Sequence, residues 1–199
     1  MIGIFVTMPL MLVVAAIVRL ESRGPVIFKQ PRVGLDRRRA RSGSPDDRRR
    51  GTDHGGRIFT IYKFRTMTCG SPGSDERWAT KNDARITRVG HVLRATRIDE
   101  LPQLFNVLKG DMNIVGPRPE QPGIFAELRT AVNRYPERQK VLPGITGWAQ
   151  VNLGYDTSVD DVKKKVELDL EYIERRSAAE DLTIMAKTMP VIVFRKVWM

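Results

Sequence analysis

The chain has 199 residues and a formal net charge of +11, from 34 Lys and Arg against 23 Asp and Glu. This length predicts one domain, or one domain with an appendage, and the charge predicts an anionic partner such as nucleic acid, an anionic membrane or a phosphorylated substrate. One cysteine and two histidines exclude an internal disulfide and a cysteine- or histidine-built metal centre, so any metal is expected to be a hard cation on carboxylate oxygens.

The first 18 residues, MIGIFVTMPLMLVVAAIV, carry no charged side chain, and Arg19 is the first. They lack the basic start and clear cleavage site of a signal peptide, so they predict a membrane-associated helix. Two forms remain open: a short spanning helix, and a helix broken at Pro9 that enters one leaflet and returns. A buried core helix is a third alternative, which the lack of a polar face disfavours.

Residues 25–33 indicate a short extended segment, and residues 34–56 form an arginine-rich run. Seven arginines lie between Arg37 and Arg50, with scarcely an apolar residue among them. Such a run cannot bury enough apolar surface to offset the entropy of ordering, so it predicts a mobile loop. It is either a solvated insertion or a contact for lipid headgroups or nucleic acid, and its lack of aromatic residues weakens the nucleic-acid alternative.

Residues 57–67, RIFTIYKFRTM, alternate in polarity and are rich in β-branched and aromatic residues, so they predict a strand. Phe59, Ile61, Lys63 and Arg65 fall on one face of it. Two cations at the end of an apolar face indicate a nearby anion, although charges also protect edge strands from aggregation. Residues 70–90, around Trp78, predict a loop.

Residues 97–120 read RIDELPQLFNVLKGDMNIVGPRPE. Their apolar positions follow helical spacing and predict a helix with this stripe: Leu101, Leu104, Phe105 and Leu108. Gly110 should end the helix. Its start is expected either at Thr96, with Asp99 completing a capping box, or at Asp99 itself. In both cases Asp99 and Glu100, the acidic pair, lie at the amino end of the helix.

The acidic pair has the chemistry of a Mg²⁺ ligand that keeps one oxygen available for attack, although such a pair is often only a helix cap. The neighbouring residues favour a functional role over a purely structural helix cap. Arg94 and Arg97 lie just upstream, and Arg118 is held between two prolines, which restrict its backbone. Guanidinium groups bind phosphate well, so acids among arginines predict phosphoryl transfer. No Walker-type or dinucleotide-binding glycine loop is present.

Further along, residues 142–152 (LPGITGWAQVN) are punctuated by glycine and predict loops. A helix is expected from Ser158, with Asp161 completing a capping box, to about Arg176. Its apolar stripe consists of Val159, Val162, Val166, Leu170 and Ile173. Asp169 borders this stripe and should not face open water. The tail after residue 180 is apolar with spaced cations, which suits a membrane interface.

Five strings, in the same order, resemble the bacterial sugar transferase family, the monotopic phosphoglycosyl transferases that load a sugar phosphate onto a polyprenyl phosphate. They are PVIFKQPRVG, IYKFRTM, IDELPQLFNVLKGDMNIVGPRPE, LPGITGWAQVN and ELDLEYIE, from about Pro25 to Thr188. The resemblance implies an α+β fold dominated by helices, with a small β-hairpin or sheet. It also implies a monotopic membrane protein, with a proline-broken re-entrant helix over residues 1–22 and a catalytic domain over residues 23–199.

The resemblance also implies roles for individual residues. Asp99 matches the family's nucleophile, which attacks the β-phosphate of a UDP-sugar, releases UMP and forms an aspartyl phosphosugar. Glu100 matches the partner acid that helps to hold Mg²⁺. The remaining matches are three cationic positions around the phosphates and one supporting acid: Lys63, Arg94, Arg118 and Asp169.

The implied setting is the cytoplasmic face of the bacterial inner membrane, where the enzyme makes the first membrane step of exopolysaccharide, capsule or another surface glycan. The implied partners are a UDP-sugar donor, undecaprenyl phosphate as acceptor, anionic lipids and downstream membrane glycosyltransferases, with no nucleic acid expected. Two departures stand out. Only eight residues precede Pro9, which leads us to expect a shortened start, and residues 34–56 replace a short turn.

Two other hypotheses stay open at this point. One is a basic membrane- or nucleic-acid-binding module in which the acidic pair only caps a helix. The other is an inactive relative that acts as a scaffold. Steep salt sensitivity of nucleic-acid binding would indicate the first, whereas Mg²⁺-dependent formation of UMP would indicate a transferase.

Overall fold

The structure, a computed structural model, describes residues 2–36, 56–68, 83–153 and 159–194. Four expectations from the sequence therefore concern residues outside the described ranges. They are the mobility of most of the arginine-rich run, the loop around Trp78, the helix start at Ser158 and the membrane-interface character of the last five residues. In the described part, helices predominate over two small sheets, which agrees with the predicted helix-dominated α+β class.

Helices account for most of the described chain. The α-helices, in chain order, are α1 (Ile2–Glu21), α2 (Arg88–Ala95), α3 (Leu104–Leu108), α4 (Pro122–Ala131), α5 (Trp148–Asn152), α6 (Val159–Arg175) and α7 (Ala178–Phe194). Two 3₁₀ helices complete the set: the first spans Ile98–Gln103 and the second spans Tyr135–Lys140. The first 3₁₀ helix contains the acidic pair, so its surroundings define the candidate site.

Two pairs of strands support the site. β1 (Ile27–Val33) and β2 (Ile58–Phe64) are antiparallel, and Ile27 lies opposite Phe64. β3 (Asn113–Val115) and β4 (Gly144–Thr146) are parallel. The first pair confirms the two strands predicted from the sequence, with slightly narrower bounds for the second strand. The face of β2 that bears Phe59, Ile61 and Lys63 is turned inward, as the alternation predicted.

Helix α1 packs one side against the rest of the chain and exposes the other. Met11, Val14 and Val18 are buried in a cluster with Phe64 of β2 and Leu93 of α2. The opposite side is apolar and exposed: Phe5, Val6, Leu10, Leu12, Val13, Ile17 and Leu20. The helix thus combines a core face with an uncovered apolar face.

The predicted break at Pro9 is not observed, because residues on both sides of this proline belong to one helix. Among the described helices, none is long and apolar enough to cross a membrane. Arg65 fixes the carboxyl end of α1 by donating hydrogen bonds to the carbonyl oxygens of Val18 and Ser22. The prediction that an anion lies near the end of this strand is therefore wrong for Arg65, whose partners are backbone carbonyls at the end of a helix.

Several local predictions were wrong. The helix expected from Thr96 is two elements, the first 3₁₀ helix and α3, and Thr96 is the carboxyl cap of α2. Its hydroxyl donates to the carbonyl of Val92, so it cannot form the predicted capping box. Pro102 lacks a backbone N–H, which suits the tighter 3₁₀ turn. Gly110, with φ 72°, ends α3 as predicted.

Only part of the predicted apolar stripe of this region faces the core: Leu101 packs against the cluster that contains Met11 and Phe64. Phe105 and Leu108 are 37% and 50% exposed, whereas Asn106 is fully buried. The Asn106 side chain donates to the carbonyl of Thr60 and accepts from the amide of Tyr62, so a polar side chain ties α3 to strand β2. A buried amide that satisfies strand backbone groups can outweigh the apolar pattern.

Two predicted loops also contain regular structure. Residues 142–152 include β4 and α5, and residues 70–90 end in the first turn of α2, which Thr87 caps at its amino end. A side chain on Gly144 would overlap the backbone nitrogen of Gly116, so the close approach of β3 and β4 requires glycine there. Helix α6 ends at Arg175, close to the predicted end, and Val162, Val166 and Leu170 of its predicted stripe are buried, whereas Val159 is 49% exposed.

Candidate active site

The acidic pair lies in the first 3₁₀ helix, which packs against strand β2. Asp99 and Glu100 are only 7% and 5% exposed. The chain reaches this helix through Arg97, whose φ of 58° and ψ of 11° place it in the left-handed region and turn the backbone out of α2. Burial of two neighbouring carboxyl groups is costly unless cations compensate for it, so their partners decide what the pair can do.

Three cations converge on one oxygen of Glu100. Its Oε1 lies 2.9 Å from Lys63 Nζ, 3.1 Å from Arg118 Nη2 and 3.2 Å from Arg97 Nη1. Burial by itself would raise the pKa of Glu100, but Lys63, Arg118 and Arg97 lower it, and the net pKa lies well below the usual range. Glu100 is therefore a fixed anion that gathers basic side chains from three different segments of the chain.

Asp99 has the opposite environment. Among the described residues, no group forms a hydrogen bond with its buried Oδ1. Burial and the neighbouring Glu100 raise the pKa of Asp99 to about 6, although Lys63, Arg97 and Arg94 partly oppose this rise. A carboxylate with an unpartnered oxygen is available to a phosphorus atom, a cation or a proton, so the two acids of the pair differ in role.

Arg94 lies close to this centre without contacting the acidic pair directly. Its Nε donates to Thr66 Oγ1 at 3.0 Å, and its charge lowers the pKa of Asp99. The structure therefore brings Lys63 and Arg118 into direct contact with Glu100 of the acidic pair, and it adds Arg94 as a nearby charge. These contacts agree with the grouping expected from the sequence, whereas the catalytic roles of the residues stay predictions.

Asp169 lies behind Arg118 and not beside the acidic pair. Its Oδ2 is 2.7 Å from Nε of Arg138, and both side chains are almost completely buried. Arg138 also donates to the carbonyl of Arg118 at 3.0 Å and to the hydroxyl of Tyr135 at 2.9 Å. Burial lowers the pKa of Arg138, but Asp169 and Tyr135 raise it, so the net pKa lies above the usual range. Asp169 thus reaches the site through Arg138.

Sequence reasoning missed Arg138, and it also missed Arg32. Nη1 of Arg32 donates to the carbonyl of Pro119 at 3.0 Å and lies 3.8 Å from Glu120. The buried Arg138 and the partly buried Arg32 therefore hold the successive carbonyls of Arg118 and Pro119. A signal for Arg138 existed in the sequence, because a buried Asp169 requires a cationic partner. No pattern in the sequence around Asp169 or Arg138 identified which of the many arginines is this partner.

The acidic pair offers two carboxylates to a metal ion. In the described ranges, no group of three or more His, Cys, Asp or Glu side chains is arranged as a metal site. Magnesium commonly takes one or two carboxylates and completes its shell with phosphate oxygens and water. The unpartnered Oδ1 of Asp99 is a hard oxygen donor that fits such an ion. Asp99 and Glu100 are the residues that could hold it.

Comparisons with known proteins give a consistent result. A family model described as bacterial sugar transferase matches residues 1–195. The UDP-N-acetylgalactosamine-undecaprenyl-phosphate N-acetylgalactosaminephosphotransferase of Aeromonas hydrophila is 44% identical over 93% of this chain and 39% of that protein. The UDP-glucose:undecaprenyl-phosphate glucose-1-phosphate transferase of Xanthomonas campestris pv. campestris is 42% identical over 94% of this chain and 36% of that protein.

A shorter relative matches along more of its own length. The uncharacterized sugar transferase EpsL of Bacillus subtilis is 39% identical over 92% of this chain and 77% of that protein. By contrast, the chain spans less than two fifths of the length of the Aeromonas and Xanthomonas proteins. The similarity therefore concerns a segment of those proteins that corresponds to nearly all of this chain.

Proposed function

Since the chain belongs to the bacterial sugar transferase family, we propose that it transfers a sugar 1-phosphate from a UDP-sugar to polyprenyl phosphate and releases UMP. The observation that carries this proposal is the difference between the two acids. Glu100 is fixed by three cations, while the buried Oδ1 of Asp99 has no hydrogen-bond partner in the described part of the chain. An available carboxylate beside clustered cations is suited to attack a diphosphate.

In the first step, a carboxylate oxygen of Asp99 attacks the β-phosphorus of the UDP-sugar. An oxygen–phosphorus bond forms on Asp99, and the bond between the β-phosphorus and the bridging oxygen breaks. The bridging oxygen keeps the electron pair and leaves with UMP. The product on the enzyme is an aspartyl phosphosugar, an acyl phosphate that is reactive enough to pass its phosphoryl group on.

In the second step, an oxygen of polyprenyl phosphate attacks the same phosphorus. The bond to Asp99 breaks, the carboxylate is restored, and the product is a polyprenyl diphosphate sugar. Covalent catalysis divides one transfer between a water-soluble donor and a lipid acceptor into two simpler transfers. The acceptor needs to approach only after the donor has reacted.

The cations around Glu100 would bind and orient the diphosphate. Lys63 and Arg118 already contact Glu100, and Arg94 adds positive charge near Asp99. A Mg²⁺ ion held by Asp99 and Glu100 would supply further charge neutralisation for the phosphates. Asp169 would act as a supporting acid, because it holds Arg138, which in turn holds the backbone of Arg118.

The exposed apolar face of α1 supports a location at a membrane surface. Its large side chains include Phe5 and Leu20, which are 72% and 87% exposed. An uncovered apolar face of this kind suits insertion into one leaflet, and the net charge of +11 favours anionic lipids. We place the protein on the cytoplasmic face of the bacterial inner membrane, where its product would supply downstream membrane glycosyltransferases of a surface-glycan pathway.

Release of UMP tests the proposal. The membrane-bound protein is incubated with Mg²⁺, undecaprenyl phosphate and a series of UDP-sugars, beside the Asp99→Asn and Glu100→Gln variants. The parent should release UMP from at least one donor, Asp99→Asn should release none above background, and Glu100→Gln should be slower. Asparagine keeps the shape of aspartate and removes the nucleophilic charge, so the fold should be retained.

Glu137→Gln is a matched control, because Glu137 is an acid of the second 3₁₀ helix whose ion pairs with Arg134 and Lys140 lie at the surface. Its release of UMP should equal that of the parent. The proposal fails if Asp99→Asn is as active as the parent. It also fails if correctly inserted parent protein releases no UMP from any donor.

A further inference from the structure

Arg97 combines two unusual features beside the acidic pair. In the described part of the chain, it is one of two non-glycine residues with positive φ, and the other is Arg134. This backbone region favours glycine, because a Cβ crowds the neighbouring carbonyl oxygen. A strained residue next to a reactive group is a reason to look for function there.

Arg97 is also the third cation on Glu100 Oε1, after Lys63 and Arg118. The three cations therefore gather their N–H donors around one anionic oxygen. The same set of charged donors is complementary to a phosphate group, which carries negative charge and accepts several hydrogen bonds.

The exposure of these side chains indicates where a ligand could meet them. The Glu100 side chain is 6% exposed, whereas those of Lys63, Arg97 and Arg118 are 16%, 22% and 28% exposed. The carboxylate therefore lies at the bottom of the cluster, and the cations form its accessible side. A guanidinium has five N–H donors, so Arg97 can contact Glu100 and a ligand at the same time.

Arg134 provides an internal comparison for Arg97. Each precedes a 3₁₀ helix with nearly the same φ, 58° and 60°, and each pairs with a glutamate three residues later. Arg134 and Glu137 lie at the surface, where the side chain of Arg134 is 53% exposed. A left-handed arginine that pairs with a glutamate three residues later can therefore be a purely structural feature of a 3₁₀ helix start. The difference between the two arginines is that only Arg97 is placed beside the acidic pair.

We propose that Arg97 is a substrate-binding residue that contacts a phosphate group of the transferase substrates together with Lys63 and Arg118. This inference rests on the proposed function for the identity of the substrate. The phosphate belongs either to the donor diphosphate or to the polyprenyl phosphate acceptor, and both offer the same chemistry to the guanidinium. Arg97 has this left-handed backbone and pairs with Glu100 at the same site.

Binding of inorganic pyrophosphate tests the role of Arg97 without requiring catalysis. Calorimetry on the full chain in detergent compares the parent with Arg97→Gly, Arg97→Lys and Arg134→Gly. Glycine suits the positive φ at both positions, so both glycine variants should fold, and circular dichroism checks this. Arg97→Gly should bind pyrophosphate about ten- to hundredfold more weakly, because charged hydrogen bonds are lost. Arg97→Lys should be intermediate, and Arg134→Gly should match the parent.

Three results would overturn the inference. Arg97→Gly could bind pyrophosphate as tightly as the parent, the parent could fail to bind pyrophosphate, or Arg134→Gly could lose as much pyrophosphate affinity as Arg97→Gly. Steady-state release of UMP then identifies the phosphate. A raised KM for the UDP-sugar assigns Arg97 to the donor, and a raised KM for undecaprenyl phosphate assigns it to the acceptor. A lower kcat with both KM values unchanged would contradict a binding role. Absence of UMP release from the parent would refute the proposed function, while the pyrophosphate result would still decide the role of Arg97.

Discussion

Replacing Asp169 by asparagine should destabilise the protein strongly. Asp169 and Arg138 are 2% and 5% exposed, and their side chains are 2.7 Å apart. Removal of one partner of a buried ion pair costs about 3–5 kcal/mol, because the remaining charge stays buried without compensation. Asparagine keeps an oxygen that can accept from Nε of Arg138, so we expect a loss near the lower end, about 3 kcal/mol.

Urea denaturation followed by circular dichroism measures this loss as a change in the free energy of unfolding. Glu137→Gln is the control, since it breaks a surface pair with Arg134. Exposed pairs contribute about 0.2–1 kcal/mol, so the control should lose no more than that. If Asp169→Asn loses as little as Glu137→Gln, the buried pair does not stabilise the fold, and this account of Asp169 is wrong.

A double variant separates stability from positioning. Asp169→Leu combined with Arg138→Met replaces the charges with apolar side chains, and such replacements are often neutral or stabilising. The double variant should therefore recover most of the stability that Asp169→Asn loses. It should remain slow in UMP release, because the carbonyl of Arg118 no longer has its donor. Full activity would show that Arg118 is positioned without this network.

Three further predictions address other parts of the molecule. Burial would raise the pKa of Glu120, but Lys165 and other cations lower it overall. The ionised Glu120 should therefore stabilise the fold fully above its unfolded pKa of about 4.5, and this contribution should be lost as the pH falls through the lower folded pKa. Urea unfolding of Glu120→Gln should accordingly be less sensitive to acid than that of the parent. Gly144→Ala should unfold at clearly lower urea than the parent, whereas Gly123→Ala, with open space around it, should not. Leu12→Glu, on the exposed face of α1, should weaken co-sedimentation with anionic liposomes without lowering the free energy of unfolding.

The parts of the fold that local sequence determines could be predicted. Helix α6 follows from its apolar spacing, because Val162, Val166 and Leu170 recur at helical intervals and are buried. The end of α3 follows from Gly110, whose positive φ other residues adopt at a cost. Strand β2 follows from its alternation. In these elements, local preference and burial agree.

The parts that depend on distant partners could not be predicted. Asn106 is buried because its amide satisfies backbone groups of β2, more than forty residues earlier in the chain. β4 forms because Gly144 can approach Gly116 closely, and glycine in a sequence indicates a turn as readily as a close contact.

The candidate site shows the same division. Lys63, Arg118 and the acidic pair could be grouped from their strings and the family resemblance, and in the structure Lys63 and Arg118 both contact Glu100 of that pair. The convergence of Arg97 on the same oxygen depends on a left-handed backbone that no local pattern indicated. Arg138 was not singled out in the sequence, and its burial is explained only by its ion pair with Asp169, 31 residues later in the chain.

The most direct test of the central claim is a search for the aspartyl phosphosugar on Asp99. The protein is mixed with an accepted UDP-sugar without polyprenyl phosphate, quenched, and measured by intact-protein and peptide mass spectrometry. The account predicts a mass increase of one sugar phosphate on the peptide that contains Asp99, its loss on addition of undecaprenyl phosphate, and its absence in Asp99→Asn. UMP release that requires the acceptor, with no adduct on the enzyme, would contradict a covalent intermediate on Asp99.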